Sequence, residues 1–316
     1  MIVNYNAWED VRGLVSSLCG SPEVASGLAR VVVVDNASPD PMPDDFLPLP
    51  FGAELSVRPD NGGFAVGVNA GRKSSASPWL LILNPDVVAT SKLLSVLLAK
   101  IERERARPEG PPGIVGFGLK NPDGSPQPSV GVYPSLVQTL REQLIPRGRR
   151  KYQPDRHVRP GLVDWVTGAC VLMNTSMLDQ LGGMDEEFFL YHEEVALCRA
   201  AADAGWRVEF DPSIDVVHLR PLQNRPISPK MRLIIRHSKL LYFRKHLPKR
   251  QFLQLCRIVE CESKVRGALA ALMGSGTERR AWRLIGKLAT NFRQGDYPTG
   301  TAVRDLAESV ETRPDQ

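Results

Sequence analysis

The chain has 316 residues, of which 42% are hydrophobic and 24% are charged. It can bury a full core, which excludes a disordered, collagen-like or small disulfide-stapled protein. The five cysteines are scattered and never form a CxxC pair, so they suggest neither a disulfide framework nor a thiolate zinc site. Because the sequence also has no basic leader and no apolar stretch of about 18 residues, we expect a cytoplasmic protein, or one peripheral on the cytoplasmic face of a membrane.

The net charge of +5 is unevenly distributed along the chain. Residues 220–293 hold 18 Lys and Arg against three Asp and Glu, while residues 1–219 and 294–316 are both net negative. Apolar residues recur through 231–246 and 252–273, which predicts amphipathic helices with a basic face. That face could be the solvated side of packed helices or could meet an anionic membrane surface. A nucleic-acid partner is not expected, because aromatic residues are few and no binding signature accompanies the charge.

In chain order, short apolar runs alternate with amphipathic stretches over the first two thirds, as in α/β proteins. The pattern predicts strands at 31–35, 53–58, 79–84 and 113–118 and helices at 65–74 and 91–107. An opening strand should precede Asn4, yet only three residues are available there. We expect either a very short strand or a start codon further upstream, and favour the second.

Polar clusters follow three of the apolar runs, at residues 4–6, 35–38 and 84–86. Because ligands bind at the carboxyl ends of strands in open parallel sheets, we expect these clusters to converge. Asp35 could accept a hydrogen bond from the imide N–H of uracil or thymine, and Asp86 could meet a divalent cation that bridges two phosphates. Either carboxylate alone could instead cap its loop through local backbone hydrogen bonds.

A glycine-rich stretch, residues 61–71, lies between two of these clusters. Its glycines permit a tight turn and close backbone approach, and Asn61 and Asn69 supply amide groups. The spacing fits neither the Walker pattern nor the dinucleotide fingerprint. Its position between two strand-end carboxylates is what makes the stretch a candidate part of a binding site.

Two further features each have a structural and a functional interpretation. Glu193 and Glu194 open a predicted helix, where carboxylates favour the positive end of the dipole, but one of them could also be a general base beside an apolar wall. His218 closes the apolar run 214–218 and could be a structural histidine or a ligand.

Five motifs, in their order and spacing, resemble glycosyltransferase family 2, and in particular its bacterial rhamnosyltransferase-like members. They lie at residues 31–38, 61–71, 84–86, 164–169 and 183–199, and residues 242–246 are also similar to that group. The resemblance implies an α/β GT-A fold: a Rossmann-like, mostly parallel central sheet flanked by helices, which binds a nucleoside diphosphate sugar. We expect this catalytic domain over 1–220, a basic helical extension over 221–295 and a polar, partly disordered tail over 296–316.

Carried over to this chain, the resemblance implies a donor site, an acceptor side, a metal pair and a catalytic base. The donor site would comprise Tyr5, Asp35, Asn61, Gly62, Gly63, Asn69, Asn84 and Asp86. The acceptor side would be shaped by Trp165, Gly168, Ala169 and Glu193. Asp86 and His218 would bind Mg²⁺ or Mn²⁺, and Glu194 would be the base.

The chain departs from the family at the base motif. The family typically shows Glu-Asp-x-Asp-Leu-Cys, whereas this sequence has Glu at position 194 and Ala at position 196. The extra methylene of Glu194 moves its carboxylate by about one C–C bond, and a misplacement of about 1 Å can cost about 100-fold in rate.

The function expected from these features is inverting, metal-dependent glycosyl transfer in cell-wall or polysaccharide biosynthesis. The best guess is rhamnose from dTDP-rhamnose, with a UDP-type donor also allowed, passed to a hydroxyl of a glycan or lipid-linked acceptor. A nucleotidyltransferase is disfavoured, because residues 4–8 are not a glycine-rich, arginine-containing loop. The remaining alternative is a non-catalytic member that binds sugar nucleotides or docks a glycan assembly complex at the membrane. Ala196 and the short start favour it, whereas Asp35, Asp86 and His218 argue against it.

Overall fold

A computed structural model describes residues 1–142, 159–221 and 226–312. It confirms an α/β fold in which helices flank a central sheet. The strands are β1 (Ile2–Asn4), β2 (Val31–Asp35), β3 (Ala53–Val57), β4 (Trp79–Leu83), β5 (Val87–Val88), β6 (Ile114–Lys120), β7 (Pro126–Gln127), β8 (Val130–Gly131), β9 (Gly161–Leu162), β10 (Trp165–Val166), β11 (Cys170–Asn174) and β12 (Val208–His218). The helices are α1 (Trp8–Cys19), α2 (Pro22–Ala25), α3 (Phe64–Lys73), α4 (Leu93–Arg105), α5 (Leu136–Glu142), α6 (Thr175–Leu181), α7 (Glu193–Asp203), α8 (Pro229–His246), α9 (Lys249–Leu272), α10 (Gly276–Gln294) and α11 (Gly300–Thr312).

The main sheet has the strand order β3-β2-β1-β4-β11-β6-β12-β5. The first four strands are parallel, and β6 and β12 run parallel to each other. The sheet is nevertheless mixed, because β11 is antiparallel to both β4 and β6, its two neighbours. Strand β11 therefore begins at the same edge where β1, β2, β4 and β12 end, and this edge collects the polar residues that follow or precede them.

The expected opening strand is present but only three residues long. It lies in the middle of the sheet, where it pairs with β2 on one side and β4 on the other. Ile2 packs into the core under α1, and Val3 packs into the core on the opposite face, as the alternation of side chains along a strand requires. A short strand suffices here because its neighbours cover it on both edges.

The basic segment forms helices that pack on the α/β part of the chain. Leu240, Tyr242, Ile285 and Phe292 are all buried in the core that also covers one face of the sheet. The predicted amphipathic helices are thus confirmed, and their apolar side contributes to the main core. None of the described helices is long and apolar enough to cross a bilayer.

The segment predicted to be a polar, partly disordered tail contains α11 over Gly300–Thr312. Its residues Val303, Ala307 and Val310 are buried, so the helix has an apolar face with helical spacing. The last four residues, 313–316, lie outside the described residues. All five cysteines are free thiols.

A buried histidine joins α8 to the segment before α11. The His237 ring is 1% exposed, and its Nε2 lies 2.9 Å from the Pro298 carbonyl oxygen, to which it donates a hydrogen bond. Burial lowers the pKa of His237 to about 4; the Pro298 hydrogen bond and the charge of Glu187 oppose that shift only in part, and Arg244 adds to it. The ring is therefore neutral in the folded protein at neutral pH.

This histidine should make folding sensitive to mild acid. Between the unfolded pKa of about 6.5 and the folded pKa the unfolded chain binds more protons, so the free energy of unfolding should fall by up to about 3 kcal/mol as pH drops through that range. Urea unfolding of the parent and of His237→Gln, whose amide can still donate to Pro298, should be compared from pH 7 to 4.5. The difference in the free energy of unfolding between parent and variant should shrink as pH falls. A constant difference would contradict a buried, neutral His237.

Candidate active site

A cavity of about 920 Å³ opens at the sheet edge where the strand ends converge. Its wall combines strand-end residues, the glycine-rich loop, the first residues of α7 and side chains from the C-terminal helices. Most residues predicted for the site are in this wall. They are Tyr5, Asn61, Gly63, Asn84, Asp86, Trp165, Gly168, Ala169, Glu193, Glu194 and His218.

Strand pairing places Asp86 beside His218. The short strand after Asp86 pairs with the end of β12, with Val87 opposite His218. His218 Nε2 consequently lies 3.2 Å from Asp86 Oδ1, and the backbone N–H of Arg220 donates to Asp86 Oδ2 at 3.1 Å. Burial alone would raise the pKa of Asp86, but the hydrogen bond from His218 and the charges of His218 and Arg220 outweigh it, so the pKa lies below its ordinary value.

Gln127, which sequence reasoning missed, holds the orientation of the His218 ring through the ring nitrogen that does not face Asp86. Its Oε1 lies 2.8 Å from His218 Nδ1, while its amide nitrogen donates to Asn121 Oδ1 at 3.1 Å. Because the Gln127 oxygen can only accept, Nδ1 carries a hydrogen, and Nε2 is directed at Asp86. Nε2 donates to that carboxylate when the ring is protonated, and it offers a lone pair to a cation when the ring is neutral. The two-residue strand β7 that carries Gln127 has no sequence pattern that would have pointed to this contact.

The Asp86 and His218 pair suits part of a divalent metal site. A carboxylate oxygen and an imidazole nitrogen are both ligands of Mn²⁺, and a ligating histidine commonly donates its other N–H to a polar partner, as His218 does to Gln127. No cluster of three or more His, Cys, Asp or Glu that could hold a metal occurs within the described ranges. The pair would therefore need further oxygen ligands from a bound substrate or from water.

The glycine-rich loop forms the next part of the wall. Gly63, with φ +98°, precedes α3, and an added Cβ would lie 2.2 Å from the Phe189 carbonyl oxygen. Asn36 Nδ2 donates to Asn61 Oδ1 at 3.0 Å and to the Gly63 carbonyl at 2.9 Å, which joins the loop to the end of β2. Asn36 also lines the cavity, and its buried Oδ1 has no hydrogen-bond partner among the described residues.

The close approach at Gly63 should make that position intolerant of a side chain. Gly63→Ala combines a positive-φ backbone conformation accessible essentially only to glycine with a clash against backbone, so we expect the free energy of unfolding to fall by at least about 2 kcal/mol. Gly13→Ala is the matched control, because Gly13 lies within α1 with no atom within 4 Å of an added Cβ, and it should gain about 0.5 to 1 kcal/mol. Urea unfolding of both variants measures the two changes in the free energy of unfolding, which should have opposite signs. Equal changes would contradict this account.

Three residues predicted for the donor site, Asp35, Asn69 and Gly62, do not line the cavity. Asp35 accepts hydrogen bonds from Asn4 Nδ2 at 2.8 Å and from the backbone and hydroxyl of Ser38. Asn69 exchanges two 2.8 Å hydrogen bonds with the Met184 backbone and so holds the loop before α7. Gly62 lies against a neighbouring valine side chain. Each of the three is in contact with other residues of the protein, and contact with a donor stays a prediction.

The start of α7 carries the two glutamates, as predicted. Tyr191 and His192, directly before it, both have positive φ (67° and 68°), a strained conformation for residues other than glycine. This turn brings both Glu193 and Glu194 into the cavity wall. Ala196, where the family typically has Asp, is 2% exposed within the core and is not part of the wall, so that departure removes no carboxylate from the cavity.

Helix α8 holds the loop that leads into α7. Ser238 Oγ donates to the Leu190 carbonyl oxygen at 2.8 Å, and Lys245 Nζ lies 2.6 Å from Asp185 Oδ2. The Tyr242 ring packs 5.8 Å from the His192 ring, centroid to centroid. These contacts give the 242–246 motif a structural role: it supports the strained turn from which both glutamates project.

The C-terminal helices close the cavity with a basic wall. It is lined by Lys230, Arg232, Arg236, Lys239, Arg266 and Arg304. Glu262 and Glu278 balance part of this charge: Glu262 pairs with Arg236 at 2.6 Å and with Arg266 at 3.2 Å, and Glu278 pairs with Arg232. Part of the basic segment, residues 220–293, thus faces the cavity, which residue spacing alone could not show.

Arg304, from a distant part of the chain, contacts the glycine-rich loop. Its guanidinium donates to the Asn61 carbonyl oxygen, 243 positions earlier in sequence. Sequence reasoning assigned Arg304 to a partly disordered tail. The helical spacing of Val303, Ala307 and Val310 was the signal that could have predicted an ordered helix here.

Comparison with known proteins gives the family. Residues 1–182 match the family described as Glycosyl transferase family 2. The chain belongs to that family. It is 30% identical over 209 residues to N-acetylglucosaminyl-diphospho-decaprenol L-rhamnosyltransferase of Mycobacterium tuberculosis, a match that covers 60% of this chain and 66% of that protein. It is also 27% identical over 233 residues to low-salt glycan biosynthesis hexosyltransferase Agl10 of Haloferax volcanii, covering 70% of this chain and 67% of that protein.

Solved structures show the fold of this family 2 member. The mannosyltransferase PcManGT from Pyrobaculum calidifontis, in complex with GDP-Man and Mn²⁺, superimposes with a TM-score of 0.51 at 15% sequence identity. The match covers 98% of this chain and 85% of that chain. The chain therefore has the GT-A fold, and the C-terminal helices are included in the likeness.

Proposed function

We propose that this family 2 glycosyltransferase moves a deoxyhexose, best described as rhamnose, from a nucleoside diphosphate donor of the dTDP or UDP type to a hydroxyl. The observation that supports it most is one cavity with Asp86 and His218 in one part of its wall and the two glutamates of α7 in another. The relative named as an L-rhamnosyltransferase supports the sugar. Residues 1–220 and the packed helices after them form the catalytic unit in this proposal.

In the proposed reaction the acceptor hydroxyl oxygen attacks the anomeric carbon as the bond from that carbon to the diphosphate breaks, with inversion. Glu194 takes the acceptor's proton, and Glu193 supports the acceptor side with Trp165, Gly168 and Ala169. The diphosphate leaves on the side of Asp86 and His218. A Mg²⁺ or Mn²⁺ ion bound by that pair would neutralise the charge of the leaving diphosphate.

On the donor side, the loop around Gly63 and the side chains of Asn61, Asn84 and Tyr5 would bind the nucleoside diphosphate. Asn36 adds a buried amide oxygen that could accept a hydrogen bond from a ribose hydroxyl or an imide N–H. Asp35 would then act through the loop, since Asn4 and Ser38 already donate to its carboxylate. Arg304 would steady the same loop through the Asn61 carbonyl.

The acceptor in this proposal is a lipid-linked or free glycan intermediate, presented at an anionic, cytoplasmic membrane surface. The name of the Mycobacterium relative includes a diphospho-decaprenol, which is a lipid carrier. The basic wall is suited to an acceptor that carries phosphate, because arginine side chains recognise phosphate through several parallel hydrogen bonds. The assembly of cell-wall or other polysaccharides would use such an acceptor.

A panel of nucleotide sugars tests the donor. We expect the matching donor, with Mn²⁺ or Mg²⁺ present, to raise the melting temperature of the purified chain through mass action, and the chain to release the nucleoside diphosphate slowly from it. Addition of the acceptor glycan should speed that release. Stabilisation with neither hydrolysis nor transfer would favour the non-catalytic alternative, and no response to any donor would contradict the proposal.

A further inference from the structure

The α9–α10 hairpin ends in exposed apolar side chains. Leu272 is 84% exposed, Met273 82%, Val265 62% and Leu269 50%. Val265, Leu269 and Leu272 are spaced by four and three residues, so they lie on one face of α9, and Met273 continues that face into the turn. We call these four residues the apolar tip.

The core does not need the apolar tip, because α9 buries a different set of residues. Phe252, Leu255 and Val259 face the core and are at most 5% exposed. Single exposed apolar residues need no explanation, but a contiguous exposed patch of this kind marks an interaction surface. The tip is therefore a candidate for docking onto another surface.

Charge decides between the possible surfaces. Lys264, Arg279 and Arg283 are exposed near the tip, in a segment whose three acidic residues are Glu260, Glu262 and Glu278. Each of those glutamates already pairs with an arginine of the same segment. A second copy of the chain would bring the same positive charge to the contact and be repelled. A bilayer with anionic lipids offers apolar depth and negative charge together.

The position of the tip relates it to the cavity. Arg266, next to Val265 on α9, and Trp282 of α10 both line the basic wall. We propose that the apolar tip inserts into the interface of an anionic bilayer, so that the basic wall of the cavity is held at the membrane surface. This inference rests on the proposed function, in which the acceptor is lipid-linked, and it names the residues that make the contact.

Flotation of the full chain with vesicles tests this surface. Phosphatidylcholine vesicles would be compared with vesicles that contain one third phosphatidylglycerol. The variant Leu269→Ser, Leu272→Ser, Met273→Ser removes most of the tip, and Arg279→Gln, Arg283→Gln removes charge. The matched control is Leu28→Ser, Phe51→Ser: these residues are 70% and 78% exposed but precede β2 and β3, at the opposite edge of the sheet from the cavity.

We expect the parent and the control to bind anionic vesicles, and the tip variant to bind at least about 10-fold more weakly. At low salt, the charge variant should bind anionic vesicles more weakly than the parent does. At high salt, where screening also weakens the parent's binding, the two should bind alike. All variants should keep the parent's melting temperature and donor binding in solution, because the tip contacts neither core nor cavity.

Three outcomes would overturn the proposal: a parent that does not bind anionic vesicles, a control as impaired as the tip variant, or a tip variant that changes only the oligomeric state. Donor turnover measured without vesicles distinguishes failure of the docking proposal from failure of the proposed function. A chain that turns over the donor but ignores vesicles would contradict the docking surface alone.

Discussion

Glu194→Gln is expected to lower turnover at least about 100-fold while leaving donor affinity almost unchanged. Glutamine keeps the size of the side chain but cannot take the acceptor's proton, and loss of a general base typically costs about 10² to 10⁴ in rate. Donor affinity should survive because the base faces the acceptor in the proposed arrangement. Transfer rates and donor dissociation constants, measured on the same preparations, check both halves of this expectation.

Glu193→Gln is the matched control for this prediction, since both glutamates are buried and line the cavity. Successive helical residues point about 100° apart, so the two carboxylates face different parts of the wall. A larger loss of turnover in Glu193→Gln, with donor binding intact, would show that Glu193 is the base. Glu194→Asp, the residue typical of the family, should be slower than the parent if the pocket has adapted to the longer side chain.

Asp86→Ala should weaken metal-dependent binding of the nucleoside diphosphate at least about 100-fold. Loss of a metal ligand should cost at least as much as loss of a supporting residue, for which about 10- to 100-fold is usual. The fold should persist, because Asp86 sits at a strand end and contributes little to either core. Titration calorimetry with and without Mn²⁺ measures the effect, and Asp86→Asn repeats it with almost no change of shape.

Asp179→Asn is the control for the metal prediction. Asp179 is also a carboxylate paired with a cation, Arg72, but it lies on α6 and is not part of the cavity wall. It should leave metal-dependent binding unchanged. If Asp86→Ala kept the parent's Mn²⁺-dependent affinity, the metal assignment of Asp86 and His218 would be wrong.

Local patterns in the sequence were enough to predict the sheet side of the site. Val31–Asp35 is an apolar run that ends in Asp35, and Trp79–Leu83 is an apolar run followed by Asn84. Parallel strands place such ends at one edge for purely geometric reasons. The two glutamates were placed correctly at the start of α7 because helix starts favour carboxylates. These inferences depend on neighbours in sequence, where patterning is informative.

Contacts between distant segments were decided only by the tertiary structure. Three features join residues that no local pattern relates: the antiparallel insertion of β11, the Gln127 contact that orients His218, and the contact of Arg304 with the glycine-rich loop. The basic segment shows the reason most clearly. Amphipathic spacing predicted its helices, but only packing determined that one set of arginines lines the cavity while the apolar tip faces solvent, because a helix presents its faces according to what lies beside it.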